Sequence, residues 1–207
     1  MKKIVPIALS LAWVVGLGVQ LFGSANGQPS ANTQINSLLN QNESSEIRKA
    51  PEFALKDLNG KDVKFSDSNG KVRLVYFFYA SCDDVCPITT KQMEDVQEKL
   101  KEKGIFGKDV QFVSITVDPK RDTENVLKAY ANKFNADPSG WTFLRGDEKE
   151  TQQIADKFGG HVEKDTDGKF LHSDRLFLVD RNGSVVKQYV KAETQEILKD
   201  IIKLAKE

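Results

Sequence analysis

The stretch Leu74–Pro87, LVYFFYASCDDVCP, joins an apolar run to the two cysteines of the chain, Cys82 and Cys86. A continuous apolar run that is rich in aromatic residues indicates a central strand covered on both faces. Pro87 predicts the start of a helix, so we expect the cysteines between the carboxyl end of the strand and that helix. This edge of an α/β sheet is where such folds place their chemistry.

The sequence on either side of this stretch alternates between strand and helix patterns. Asn59-Gly60 and Asn182-Gly183 predict hairpin turns near the two ends of the domain. Further strands are predicted at Val110–Val117, Trp141–Leu144 and Leu176–Val179. Three further helices are predicted: one over Thr123–Phe134, a second that ends at Gly159-Gly160, and a third that begins at Thr194. This order predicts an α/β, thioredoxin-like sandwich with an N-terminal β-hairpin and a C-terminal hairpin plus helix.

The composition fits one folded domain and excludes one class of partner. The 207 residues are 39% hydrophobic and 29% charged, which suits a domain of about 150 residues with an additional segment. Thirty Lys and Arg side chains balance thirty Asp and Glu side chains, so the formal net charge is zero. Because no overall field attracts the chain to a polyanion, no nucleic-acid partner is predicted.

The N-terminal residues predict export from the cytoplasm. Two lysines precede the apolar run Ile4–Phe22, and no basic residue occurs between Gly23 and Ile47. The run nearly spans a bilayer core, which favours a retained anchor over cleavage after Ala25. We therefore expect residues 1–25 to be a membrane anchor or signal peptide. The anchored protein would lie at the periplasmic face of the bacterial inner membrane, and the cleaved form would be soluble in the periplasm.

Residues 26–47 are predicted to be a flexible tether to the folded domain, 48–207. This region is rich in Ser, Asn and Gln and lacks aromatic residues, so it cannot bury enough apolar surface to fold. A tether of this kind would give the domain reach near a membrane-bound target.

The pair Cys82 and Cys86 is compatible with three uses. A structural disulfide would close a very short loop and add only about 2 kcal/mol of stability. A dithiol oxidoreductase usually has two residues between its cysteines, whereas this pair has three, and the carboxylates of Asp83 and Asp84 oppose thiolate formation. Thioredoxin-like enzymes also resemble one another in a cis-proline that has no counterpart near Leu176. The third use is a metal site, because thiolates prefer Cu(I) or Zn.

His172 is the candidate third ligand. It lies just before the strand predicted at Leu176–Val179, in the loop that approaches the cysteine loop in this fold. The ten residues between His161 and His172 do not fit usual zinc-ligand spacing, and His161 is better explained as part of a helix end. A site of two thiolates and one imidazole suits Cu(I), which tolerates low coordination, so copper is favoured over zinc.

Three motifs of the sequence together resemble those of the Sco/SenC proteins. They are CDDVCP at Cys82–Pro87, SITVDPKRD at Ser114–Asp122, and His172 ahead of RLFLVDRNG. The resemblance implies a thioredoxin-like copper chaperone, held in a membrane by one N-terminal helix, that binds copper through Cys82, Cys86 and His172. It also implies a role in assembling a copper centre of respiratory cytochrome c oxidase.

The resemblance implies three partners: an oxidase subunit carrying a copper centre, a copper donor protein, and a thioredoxin-like reductant that keeps Cys82 and Cys86 reduced. Copper, as Cu(I) or Cu(II), would be passed on by ligand exchange without covalent turnover of a substrate. The alternative function is a thiol-disulfide oxidoreductase acting on the cysteines of a copper-site protein, so an enzymatic activity remains open. A peroxidase of the same fold would need a Thr where this chain has Tyr79.

Two positions depart from the pattern common in the family. Asp83 stands where many members have Pro, and Leu171 stands where they have Asp, but neither is a proposed ligand. Asp118 is expected beside the cysteine loop, where it could orient a ligand or simply form a turn. Asp122 or Thr123 is expected to cap the following helix.

Overall fold

Ten strands and four α-helices make up the part of the chain that the structure describes. The computed structural model describes residues 48–160, 162–164, 170–172 and 174–207. The segments predicted at 1–25 and 26–47 lie outside the described residues, as does His161. None of the described helices is both long and apolar enough to cross a bilayer.

The elements follow one another in the predicted alternation. In chain order they are β1 Arg48–Lys49, β2 Ala54–Lys56, β3 Asp62–Lys64, β4 Val72–Phe78, α1 Val85–Glu102, β5 Val110–Thr116, α2 Glu124–Lys133, β6 Trp141–Leu144, α3 Glu148–Phe158, β7 Val162–Lys164, β8 Phe170–His172, β9 Leu176–Val179, β10 Ser184–Tyr189 and α4 Thr194–Ala205. A short 3₁₀ turn, Phe65–Ser68, follows β3.

A six-stranded sheet in the order β1-β10-β9-β4-β5-β6 forms the centre of the fold. Strands β4, β5 and β6 run parallel, whereas β9 pairs antiparallel with β4, and β10 pairs antiparallel with β9. Two further two-stranded sheets are the hairpins β2–β3 and β7–β8. The predicted thioredoxin-like sandwich, with its N-terminal hairpin and its C-terminal hairpin plus helix, is confirmed.

Strand β4 is buried along its whole length, as its apolar run predicts. Because side chains alternate along a strand, Leu74 and Phe78 join the core cluster that contains residues of α1, α2 and α4. Val75 and Phe77 join the cluster on the other face, with α3 and the 3₁₀ turn. Covered on both faces, β4 holds the start of the cysteine loop at a fixed place.

Helix α1 begins at Val85, two residues before the start predicted at Pro87. The first N–H groups of a helix have no intrahelical partner, so a proline in the first turn removes no hydrogen bond. Cys86 is therefore part of the helix, and its side chain packs into the core with Met93 and Val96.

Helix α2 and the β7–β8 hairpin differ in detail from the sequence expectations. Thr123 caps α2 by accepting a hydrogen bond from the Val126 N–H, as predicted. Val126 is 40% exposed, because the buried stripe of α2 runs through Leu127 and Tyr130. The β7–β8 hairpin was not predicted, since strands of three residues are too short to show periodicity.

Candidate metal centre

Cys82 and Cys86 are not joined in a disulfide, and they differ in exposure. Cys82 is partly exposed in the turn after β4, where its N–H donates to the Tyr79 carbonyl at 3.2 Å, and Cys86 is fully buried. The two thiols are hydrogen-bonded to each other, and burial raises the pKa of Cys86 well above its ordinary value. The pair thus offers a soft cation such as copper one accessible and one sheltered sulfur donor.

Three tyrosine side chains surround the thiols. The Tyr79 hydroxyl is hydrogen-bonded to Cys82, the Tyr76 hydroxyl is hydrogen-bonded to Cys86, and Tyr130 interacts electrostatically with both sulfurs. Burial is the main cause that raises the pKa of each of these phenols, so they stay protonated. The neutral Tyr79 hydroxyl can donate a hydrogen bond to a Cys82 thiolate without adding charge to the site, whereas the Tyr76 hydroxyl donates its hydrogen bond to Asp174.

Asp174 ties the segment that follows His172 to the cysteine helix. Its carboxylate accepts hydrogen bonds from the Thr89 hydroxyl at 2.9 and 3.0 Å and from the Tyr76 hydroxyl at 3.2 Å. Thr89 lies about one turn beyond Cys86 on α1. The Tyr76 phenol therefore links Cys86 to a residue two positions after His172.

His172 ends β8, where its backbone pairs with Val162 of β7. Its side chain lies outside the described part of the structure. Of the three predicted ligands, Cys82 and Cys86 are brought together, whereas His172 is located only through its backbone. Among the side chains that are described, no group of three or more His, Cys, Asp or Glu is placed to hold a metal ion. The three-ligand site stays a prediction.

Asp118, the residue predicted to orient a ligand, is 2% exposed just beyond β5. Its carboxylate pairs with Arg121, and its N–H donates to the Thr116 hydroxyl at 3.0 Å. These contacts organise the turn that leads into α2. A role of Asp118 toward a metal ligand stays a prediction.

Asp122 was expected as an alternative helix cap but lies against the cysteine loop. Its side chain is fully buried, and its Oδ2 accepts a hydrogen bond from the Ala80 N–H at 3.0 Å. Capping of α2 is left to Thr123. The local sequence pattern alone did not distinguish these two roles, because Asp and Thr are both common capping residues.

Sequence reasoning also missed Tyr76 and Asp174, although one signal was available. A buried tyrosine in an apolar run needs a hydrogen-bond partner for its hydroxyl, and that partner lies near the carboxyl end of the strand. Asp83 and Asp84 were expected to oppose thiolate formation. Both are exposed, so solvent screens their effect on Cys82, and this objection to thiol chemistry weakens.

Comparisons with known proteins show the family of the chain. The family model described as SCO1/SenC matches residues 41–206. A SCO2-like protein of Rickettsia felis is 34% identical over 154 residues, which cover 71% of this chain and 72% of the relative.

Two solved structures are similar in fold and in sequence. BsSco, described as a member of the Sco family of cytochrome c oxidase assembly proteins with a disulfide switch, has a TM-score of 0.69 and 30% identity, covering 78% of this chain and 95% of its own. ScoI of Bradyrhizobium japonicum, solved with copper bound, has a TM-score of 0.65 and 28% identity, covering 75% of this chain and 99% of its own. The protein belongs to the SCO1/SenC family.

Proposed function

We propose that this protein is a metallochaperone that binds copper through Cys82, Cys86 and His172 and delivers it to a subunit of respiratory cytochrome c oxidase. The observation that carries the proposal is the pair of adjacent thiols, one accessible and one buried, at the end of the central strand. Thiolates are the donors that Cu(I) prefers. The copper-bound relative from Bradyrhizobium japonicum supports the same cargo.

The unequal exposure of the thiols suits transfer by ligand exchange. Cys82 is the sulfur that a donor or recipient protein can reach, whereas Cys86 holds the ion from inside the fold. Cys86 loses its proton when it binds copper, because the thiolate is the ligand. A site with three protein ligands leaves room for an incoming ligand of the recipient, so release does not require the free ion.

Loading requires both thiols in the reduced form. A disulfide between Cys82 and Cys86 cannot hold copper, and thiols outside the cytoplasm tend to oxidise. A thioredoxin-like dithiol reductant would supply the two electrons by thiol–disulfide exchange and would itself become a disulfide.

Residues 1–25 and 26–47 are proposed to anchor and tether the domain at the periplasmic face of the bacterial inner membrane. The lysines ahead of the apolar run and the polar sequence after it support this arrangement. Cell fractionation tests it: an anchored protein stays with the membrane after washing at high salt, and a cleaved protein appears in the soluble periplasmic fraction.

Titration of the reduced protein with Cu(I), in competition with a chromophoric chelator, tests the copper site. Binding should saturate at one equivalent, and Cys82→Ser, Cys86→Ser and His172→Ala should each abolish tight binding. His161→Ala is the matched control and should bind like the wild type. Unchanged affinity in His172→Ala contradicts the three-ligand site.

Thiol–disulfide exchange is the second candidate function. The observation in its favour is that a partly exposed Cys82 lies beside a buried Cys86, which is the arrangement of an attacking and a resolving thiol. In this case the metal-free protein should reduce a disulfide substrate catalytically, and His172→Ala should keep that activity. Loss of the activity in His172→Ala contradicts a function that is independent of the metal site.

A further inference from the structure

Asp122 fastens the cysteine loop to the neighbouring strand. Its fully buried carboxylate accepts hydrogen bonds through Oδ2 from the Ala80 N–H at 3.0 Å and from the Thr116 hydroxyl at 2.5 Å. Thr116 is the last residue of β5, where it pairs with Phe78 at the end of β4. The loop is therefore held at Ala80, two residues before Cys82, by a group that belongs to a different strand connection.

The position of the loop decides how far apart the two sulfurs lie. Cys86 is fixed, because it belongs to the first turn of α1 and packs into the core. Cys82 is only partly buried against the same core cluster, and it lies in a turn closed by the bond from its N–H to the Tyr79 carbonyl. Ala80 is inside that turn, so a displacement of its backbone moves the Cys82 thiol relative to the fixed Cys86 thiol.

Burial of the Asp122 carboxyl group lowers the stability of the fold, which is unfavourable for a residue with a purely structural role. Asp122 Oδ1 has no hydrogen-bond partner among the described residues, and burial raises the pKa of the carboxyl group. An unpaired oxygen on a buried acid lowers the stability of a fold.

We propose that Asp122 is a positioning residue for the metal centre, which sets the place of Cys82 relative to Cys86 by fixing the backbone at Ala80. The inference deepens the proposed copper function and rests on it for the copper readout. It does not need copper for the thiol readout, because the separation and exposure of the sulfurs are properties of the metal-free protein.

The test compares Asp122→Ala, which removes the acceptor, with Asp122→Asn, which keeps an oxygen for both donors. In Asp122→Ala, Cu(I) affinity should fall by about tenfold or more, as is typical when the support of a ligand is lost. The rate at which iodoacetamide alkylates Cys82 in the metal-free protein should change by about threefold or more, because thiol reactivity depends on exposure and hydrogen bonding. Asp122→Asn should stay close to the wild type in both measurements.

Asp180→Ala is the matched control. The Asp180 carboxylate also holds a loop backbone, by accepting a hydrogen bond from the Ser184 N–H at 2.7 Å. It lies near the amino end of β4, away from the cysteines. Its removal should lower stability and leave copper affinity and Cys82 alkylation unchanged. If Asp122→Ala does not fold, Thr116→Val takes its place, because Val is isosteric with Thr and suits a strand; its copper affinity should fall by about threefold or more.

Wild-type affinity and alkylation in Asp122→Ala, or in Thr116→Val where the first variant does not fold, overturn the inference. Equal losses in Asp122→Asn and Asp122→Ala also overturn it, because the charge rather than the hydrogen bond would then matter. A wild-type protein that binds no copper contradicts the proposed function. The alkylation difference between Asp122→Ala and Asp180→Ala still decides the inference in that case.

Discussion

The two ends of β4 differ in what their buried polar side chains contact. At the amino end, the acceptors are mainly backbone carbonyls of turns, whereas at the carboxyl end the polar side chains surround two thiols. Arg73 at the amino end is fully buried and donates to the carbonyls of Phe65 and Asp180 at 3.4 and 3.3 Å, and to the Asn69 side chain at 3.2 Å. At the carboxyl end, the hydroxyls of Tyr76 and Tyr79 instead meet sulfur atoms.

This difference separates stability from chemistry along a single strand. The bonds of Arg73 join the 3₁₀ turn to the β9–β10 hairpin, so their loss should loosen the fold without moving the cysteines. The bonds at the carboxyl end reach atoms that react, so their loss should change thiol and copper chemistry more than stability. Substitutions at the two ends should therefore have opposite profiles in the same two measurements.

The largest effect is expected from the two cysteines themselves. Cys82→Ser and Cys86→Ser should each lower copper affinity by more than about 100-fold, because the loss of a ligand exceeds the loss of its support. Only Cys86→Ser should also destabilise the fold, by about 1–3 kcal/mol, because it places a hydroxyl in the core. Copper competition and chemical denaturation measure the two quantities. Equal loss of stability in both variants contradicts the difference in burial.

Arg73→Met should have the opposite profile. It leaves the Asn69 side chain and two carbonyls without their donor and removes the contact of the guanidinium with the Phe65 ring, 4.3 Å from its centroid. A loss of about 2–4 kcal/mol in the free energy of unfolding is expected, with copper affinity within about twofold of the wild type. Arg175→Met, which changes a partly exposed arginine, is the control. A large fall in copper affinity in Arg73→Met means that the two ends are coupled.

At the carboxyl end of β4, the sequence predicted the thiols and the elements beside them but not the side chains that reach them from distant parts of the chain. The strand β4, the helix after it and the thiols between them follow from an apolar run, a proline and two cysteines that lie close together in the chain. Asp122 and Asp174 reach the site from other strand connections, and their roles depend on which loops meet in space. Local rules assigned Asp122 to a cap, because capping needs only neighbouring residues, whereas a bond to Ala80 needs the folded sheet.

The stability of the metal-free protein should fall with rising pH because of Cys86. Burial raises the pKa of this thiol above its ordinary value of 9.0, so the unfolded chain loses the proton first. Stability is complete below the unfolded pKa and is lost as the pH rises, at up to about 1.4 kcal/mol per unit from roughly pH 9. The raised pKa of Tyr76 adds a loss of the same sign at higher pH. Denaturation at pH 8 and pH 10 measures the change.

Cys86→Ala separates the thiol from the tyrosines. This variant should lose less stability than the wild type between pH 8 and pH 10, because the loss that comes from the Cys86 thiol is then absent. At the amino end of β4, burial lowers the pKa of Arg73 below its ordinary value, but the guanidinium stays charged throughout this range. An equally steep fall in Cys86→Ala contradicts the assignment to the thiol.

The smallest effect is expected at the clamp between Thr89 and Asp174. Thr89→Val removes the donor that holds Asp174 at 2.9 Å, while the bond from Tyr76 remains. Stability should fall by about 1 kcal/mol, and copper affinity by about two- to threefold, because the segment after His172 is less firmly held. Thr151→Val is the control: its buried hydroxyl donates to the Glu148 carbonyl at 3.1 Å, on the other face of the sheet. If both variants lose equal stability and neither loses copper affinity, the bond between Thr89 and Asp174 is purely structural, like the bonds of Arg73. Copper binding then does not depend on this bond.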